Sequence, residues 1–62
     1  MITAVHVEDE KGAREFLRAR LQEVAPEIDL LGEAANIADG ATLIAQKGPQ
    51  LVFLDVEMPG GD

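Results

Sequence analysis

Hydrophobic and polar positions follow two periods along this chain, and the periods alternate. Residues 2 to 7 are rich in β-branched side chains and run into acidic residues, a pattern typical of a parallel strand buried on both faces. Residues 27 to 34 and 50 to 54 predict two further strands. Apolar residues recur at spacings of three and four over residues 10 to 24 and 36 to 46, which predicts two helices. We therefore expect the order β1-α1-β2-α2-β3 and an α/β fold with a parallel sheet.

The ends of the predicted helices carry their own signals. We expect Asp9 to be the N-cap of α1, with Glu10 in the first turn, and Pro26 to end the helix. Asn36 is the expected N-cap of α2, and Gly48 before a proline is typical of a helix C-terminus. The apolar stripes of both helices are predicted to lie in the core: Ala13, Phe16, Leu17, Leu21 and Val24 in α1, and Ile37, Ala41, Ile44 and Ala45 in α2.

Three acidic residues stand at the predicted carboxyl ends of strands. Right-handed crossovers place β1 between β2 and β3, or place β3 on the far side of β2. In the first arrangement Glu8 and Asp9 after β1 would lie beside Asp55 after β3, at the edge where open α/β sheets bind ligands. Neighbouring strands are about 4.8 Å apart, so these like charges would repel and favour a neutralising divalent cation.

Carboxylate ligands without cysteine or paired histidines favour magnesium or manganese over zinc. With the metal in place, Asp55 is the best candidate for a nucleophile toward phosphorus.

Composition narrows the classes of function. The chain has 62 residues, with 12 acidic side chains against 5 basic ones and a net charge of −7, which argues against direct binding to nucleic acid or an anionic membrane. It has no cysteine, no long apolar run and no secretory signal, so we expect a cytoplasmic protein. In a chain of this size, the free energy gained by burying apolar surface barely exceeds the conformational entropy lost on folding. We therefore expect the isolated chain to be marginally stable and to self-associate through the open edge of β3.

These acidic positions and their flanking residues resemble the receiver domains of bacterial two-component response regulators. The resemblance rests on Val7-Glu8-Asp9-Glu10 after β1, on Leu51-Val52-Phe53-Leu54-Asp55, and on Met58-Pro59-Gly60. It covers residues 1 to 62 as a partial receiver (response regulatory) domain. The implied fold is flavodoxin-like, with strand order 2-1-3 and the second half of the fold absent. Residues 52 to 61 look most like receivers of the LytTR (LytR/AlgR) type.

The resemblance implies a role for each acidic residue. Asp55 would accept a phosphoryl group from a sensor histidine kinase, so the chain would be a phosphoacceptor and not an enzyme. Asp9 would bind Mg²⁺ directly with Glu8 assisting, and Glu57 would offer its backbone carbonyl to the metal. DNA would be bound only through an output domain that these residues do not include. The family's hydroxyl residue after β4 and lysine after β5 have no counterpart in this sequence.

Two other functions compete with this interpretation. A phosphatase of the haloacid dehalogenase type also has an aspartate nucleophile after an apolar strand, but Asp55-Val56-Glu57-Met58 departs from its Asp-x-Asp pattern. A receiver fragment could instead act only as an assembly piece. Other side chains are expected to be structural: His6 packs within β1, and Arg14 and Arg18 lie on the solvated face of α1.

Overall fold

The computed structural model describes residues 1 to 55, and the five predicted elements are all present in that range. Each begins and ends within one residue of its predicted position. The elements are β1 (Ile2–Val7), α1 (Lys11–Val24), β2 (Ile28–Ala34), α2 (Ile37–Lys47) and β3 (Leu51–Leu54).

The strands form one open, all-parallel sheet in the order β2-β1-β3. This confirms the first of the two arrangements that right-handed crossovers allow. The register runs from Ile2 beside Ile28 to Val7 beside Ala34, with an irregularity between Ala4 and Val5. On the other side of β1, Val7 pairs with Leu54. The topology is consistent with a partial flavodoxin-like receiver fold.

The main core lies between the sheet and α2. Val5, Val7 and Ala34 are buried there, and partly buried side chains of α2 pack on them, namely Ile37, Leu43 and Ile44. Gly40 is the buried residue of α2 and lies directly against Val7. The absence of a side chain at Gly40 therefore sets how closely α2 approaches β1.

The first helix covers the opposite face of the sheet less completely. Neighbouring residues of a strand point to opposite faces, so His6 lies on the face opposite to Val5 and Val7. Glu33 is the register partner of His6, and Arg18 of α1 pairs with it, which places α1 on that face. Leu21 is 8% exposed, whereas Phe16 is 68% and Val24 60% exposed. The prediction that the whole α1 stripe is core is thus wrong at those two positions, because the described sheet is too narrow to cover them. Ala41 and Ala45 of α2 are exposed as well.

The helix boundaries show which capping signals operate. The Asn36 side chain accepts a hydrogen bond from the Asp39 N–H at 2.8 Å, and Gly48 ends α2 in the left-handed region at φ 55°. The prediction that Asp9 caps α1 is wrong. Glu10 occupies the N-cap position without a side-chain capping bond. The Asp9 carboxylate instead faces the acidic side chains described below. Within the described residues, neither helix has the length and apolar character needed to cross a bilayer.

Candidate metal centre

Because β1 and β3 pair in parallel, their carboxyl ends lie side by side at one edge of the sheet. Val7 and Leu54 are register partners, and the Asp55 N–H donates to the Val7 carbonyl at 3.2 Å. On the other side, the Glu8 N–H donates to the Ala34 carbonyl at 2.9 Å. The ladder therefore continues one residue past both strands, and it places Glu8 and Asp55 next to each other.

Glu8, Asp9 and Asp55 converge as the sequence predicted. One carboxylate oxygen from each lies within 4.8 Å of the others. Glu8 and Asp55 are half-buried and Asp9 is exposed, so the cluster is open to solvent on one side. Three oxygen donors of this kind fit a hard cation such as Mg²⁺, which keeps several water ligands beside one or two carboxylates. Glu57, whose carbonyl was the fourth predicted ligand, lies outside the described residues.

The pKa of Glu8 is affected by the nearby negative charges. The hydrogen bond from the Glu10 N–H, at 3.2 Å from Glu8 Oε2, lowers the pKa of Glu8. Desolvation and the neighbouring Asp9 and Asp55 carboxylates raise it, and together they outweigh the Glu10 bond. The net result is a pKa above the ordinary glutamate value. A divalent cation bound here would offset the repulsion that produces this shift.

Arg14 is the site residue that the sequence prediction missed. Its Nη1 donates to the Glu8 carbonyl at 2.8 Å in a partly buried position, so it does not lie free on the solvated face of α1. Arg18 is likewise engaged, with Nη2 and Nε at 2.6 and 3.3 Å from the Glu33 carboxylate oxygens. A signal for Arg14 did exist, because long helical side chains point back toward the helix N-terminus. An arginine in the first turns can therefore reach the loop before the helix.

His6 is packed beneath this edge of the sheet, as predicted. It is 6% exposed, and its ring meets Phe53 edge-on with centroids 6.3 Å apart. Its Nδ1 is buried without a hydrogen-bond partner among residues 1 to 55. Burial lowers the pKa of His6, and Arg14 adds to this, while Glu33 and Asp55 oppose it. The neutral ring is therefore the favoured form.

Comparison with known proteins gives relatives of one kind. An uncharacterized response regulatory protein of Shewanella oneidensis is 42% identical over 59 residues, and one of Vibrio vulnificus is 44% identical over 59 residues. The transcriptional regulatory protein BtsR of Escherichia coli K12 is 41% identical over the same length. The chain is similar to response regulatory proteins. Each match covers 95% of this chain, and the chain spans about a quarter of the length of these curated relatives.

No family model matches the chain, and no solved structure matches it. The similarity to response regulatory proteins and the 2-1-3 parallel sheet agree with each other, and together they support a receiver-domain segment.

Proposed function

We propose that this chain is a phosphoacceptor receiver segment of a two-component system. Asp55 accepts the phosphoryl group, and Mg²⁺ is bound by Glu8, Asp9 and Asp55 with the backbone carbonyl of Glu57. The convergence of three carboxylate oxygens within 4.8 Å, at the paired ends of β1 and β3, is the observation that carries the proposal. The relatives named response regulatory proteins support it.

Phosphoryl transfer makes Asp55 the nucleophile. An Asp55 oxygen attacks phosphorus in a phosphohistidine of the kinase. The new O–P bond gives an acyl phosphate while the P–N bond breaks and the imidazole leaves. A bound divalent cation would neutralise charge on the transferring phosphoryl oxygens. Glu8 is less suited to the attack, because one of its oxygens accepts the Glu10 N–H.

Transfer from a small acyl phosphate donor tests this assignment. We expect the intact mass of the chain to rise by one phosphoryl group when donor and Mg²⁺ are both present, and not when a chelator is added. Asp55→Asn should abolish the incorporation, and Asp9→Asn should reduce it strongly. Asp29→Asn is the matched control, because Asp29 is an exposed strand carboxylate on β2 outside the cluster.

Two results would contradict the proposal. Incorporation that survives Asp55→Asn would place the acceptor elsewhere. Turnover of a phosphate ester with no phosphoryl group left on the protein would favour the phosphatase interpretation.

We further propose that the protein is cytoplasmic and that a sensor histidine kinase is its partner. The proposed output is transcriptional, through a DNA-binding domain of the LytTR type. The relative from Escherichia coli is named a transcriptional regulatory protein, which supports this output. The net charge of −7 makes the chain itself unsuited to contact DNA. The gene sequence beyond residue 62 tests the output. A basic DNA-binding domain there supports the proposal, and its absence contradicts it.

Self-association of this chain is also proposed. In the described sheet β3 is an edge strand, and Leu51, Val52 and Leu54 are 38%, 38% and 52% exposed. Unpaired backbone groups beside apolar side chains favour pairing with another chain. Sedimentation equilibrium should show a concentration-dependent mass, whereas a monodisperse folded monomer would contradict the proposal.

A further inference from the structure

The peptide bond between Glu8 and Asp9 joins two of the three clustered acids, and its carbonyl has an unusual partner. The acceptor is the Glu8 oxygen, and the donor is Arg14 Nη1 at 2.8 Å. The contact spans six residues and is partly buried. A side chain of α1 therefore binds the backbone of the loop that presents the acids.

Two other polar groups of Glu8 form hydrogen bonds with main-chain atoms. Its N–H donates to the Ala34 carbonyl of β2 at 2.9 Å, and its Oε2 accepts the Glu10 N–H at 3.2 Å. Among residues 1 to 55, no main-chain N–H donates to the Glu8 carbonyl, which lies just past the end of β1. Arg14 supplies the donor, through a charge-assisted bond from a planar guanidinium.

Arg14 binds the loop through its backbone as well. Its own N–H donates to the Glu10 carbonyl at 3.1 Å, which closes the first turn of α1. Main chain and side chain of one residue thus hold both ends of the segment from Glu8 to Glu10. A change in ψ of Glu8 or φ of Asp9 turns this carbonyl away from Arg14. Unless the other angle compensates, the same change shifts the Asp9 side chain relative to that of Glu8.

We infer that Arg14 is a positioning residue of the cation site: by holding the Glu8 carbonyl, it fixes the directions in which Glu8 and Asp9 meet Asp55. This inference rests on the proposed function, because it concerns the same metal site. Arg14 does not bind the cation, and its effect is exerted through the peptide that it holds.

The charge of Arg14 and its positioning role predict opposite changes in Mg²⁺ affinity when Arg14 is removed. A guanidinium close to the site repels a cation, so on charge alone its removal would tighten Mg²⁺ binding. If Arg14 positions the ligands, its removal weakens binding. Loss of a partner that orients metal ligands costs roughly 10- to 100-fold in affinity. Because Glu8 keeps its bond to Ala34, we expect the lower end, about tenfold.

The test compares Arg14→Ala with Arg14→Lys and Arg18→Ala in the whole chain. Arg18 is the matched control, because it lies one turn further along α1 and pairs with Glu33 on β2. Magnesium titrations followed by amide NMR give the Kd, and hydrogen exchange without metal reports the loop. We expect Arg14→Ala to raise the Kd about tenfold and to speed exchange at the Glu10 amide, which donates to Glu8 Oε2. Arg14→Lys should recover part of both, and Arg18→Ala should leave both unchanged.

An unchanged or lower Kd in Arg14→Ala would overturn the inference. If Arg14→Ala does not fold, Arg14→Lys decides, because it keeps the charge and loses the planar donor. A weaker affinity then supports positioning, and an equal or tighter one overturns it. If the wild-type chain binds no Mg²⁺, the metal site of the proposed function has failed. The exchange data then decide the role of Arg14, and equal protection of the Glu10 amide in Arg14→Ala and Arg18→Ala overturns it.

Discussion

Replacement of Gly40 by alanine probes how closely α2 packs against the strand that carries the acids. A Cβ atom at Gly40 would lie 2.8 Å from Cγ2 and 2.9 Å from Cγ1 of Val7. Carbon atoms attract best at about 3.5 to 4.0 Å, so the helix or the strand must move by roughly 0.7 Å or more. Val7 is 1% exposed and lies in the central strand, with β2 and β3 on either side. It therefore has little room to yield.

The expected magnitude follows from two opposing contributions. Alanine is about 1 kcal/mol better than glycine in a helix interior, which favours the variant. Overpacking a filled core costs about 1 to 3 kcal/mol. We expect Gly40→Ala to lower the free energy of unfolding by about 1 kcal/mol. Gly12→Ala is the matched control, because no atom lies within 4 Å of a Cβ at Gly12 in α1. It should raise the free energy of unfolding by about 0.5 kcal/mol.

Thermal unfolding followed by circular dichroism measures both variants. A change of 1 kcal/mol shifts the Tm of a domain of this size by about 4 to 8 °C. Gly40→Ala should therefore melt several degrees below the wild type, and Gly12→Ala slightly above it. In a Val7→Ala background the penalty at Gly40 should disappear, because the clashing methyl groups are gone. A rise in Tm for Gly40→Ala equal to that for Gly12→Ala would refute the close-packing argument.

Two further predictions concern single residues. Asn36→Ala removes the 2.8 Å bond from the Asp39 N–H and should cost about 1 kcal/mol in urea unfolding. Asn36→Ser keeps an acceptor oxygen without placing a second negative charge beside the Asp39 carboxylate, so it should retain most of the stability; equal losses in both variants would contradict the capping role. Because burial lowers the pKa of His6, the unfolded chain takes up a proton near the free imidazole value of 6.5, whereas the folded chain takes it up only at a lower pH. Stability should therefore decline as the pH falls below 6.5, and the decline should be absent in His6→Phe; identical pH profiles for wild type and variant would contradict it.

The elements and the acidic cluster could be predicted because local signals determine them. The strand at residues 2 to 7 is almost wholly apolar, and a parallel strand of that kind ends where polar residues begin. Once β1 is central, the ladder brings Glu8 and Asp55 together without any further information. The choice between the two strand orders was not local, because right-handed crossovers permit both.

The features that the sequence did not predict depend on competition between partners. Asp9 is a good N-cap by residue type, but its carboxylate lies with Glu8 and Asp55, and Glu10 takes the capping position. Phe16 has the spacing of a core residue, yet its burial depends on the width of the sheet below it. Arg14 was assigned to solvent because helical periodicity ranks faces and does not show how far a long side chain reaches.

Magnesium-dependent stabilisation is the most direct measurement of the central claim, which is that the three carboxylates form a divalent cation site. A ligand that binds only the folded chain raises stability by RT ln(1 + [L]/Kd), about 1.4 kcal/mol at a tenfold excess over Kd. We expect Mg²⁺ to raise the melting midpoint of the wild-type chain, and Asp9→Asn to remove the increase while Asp29→Asn retains it. An unchanged midpoint in the wild type, or an equal shift in Asp9→Asn, would contradict the claim.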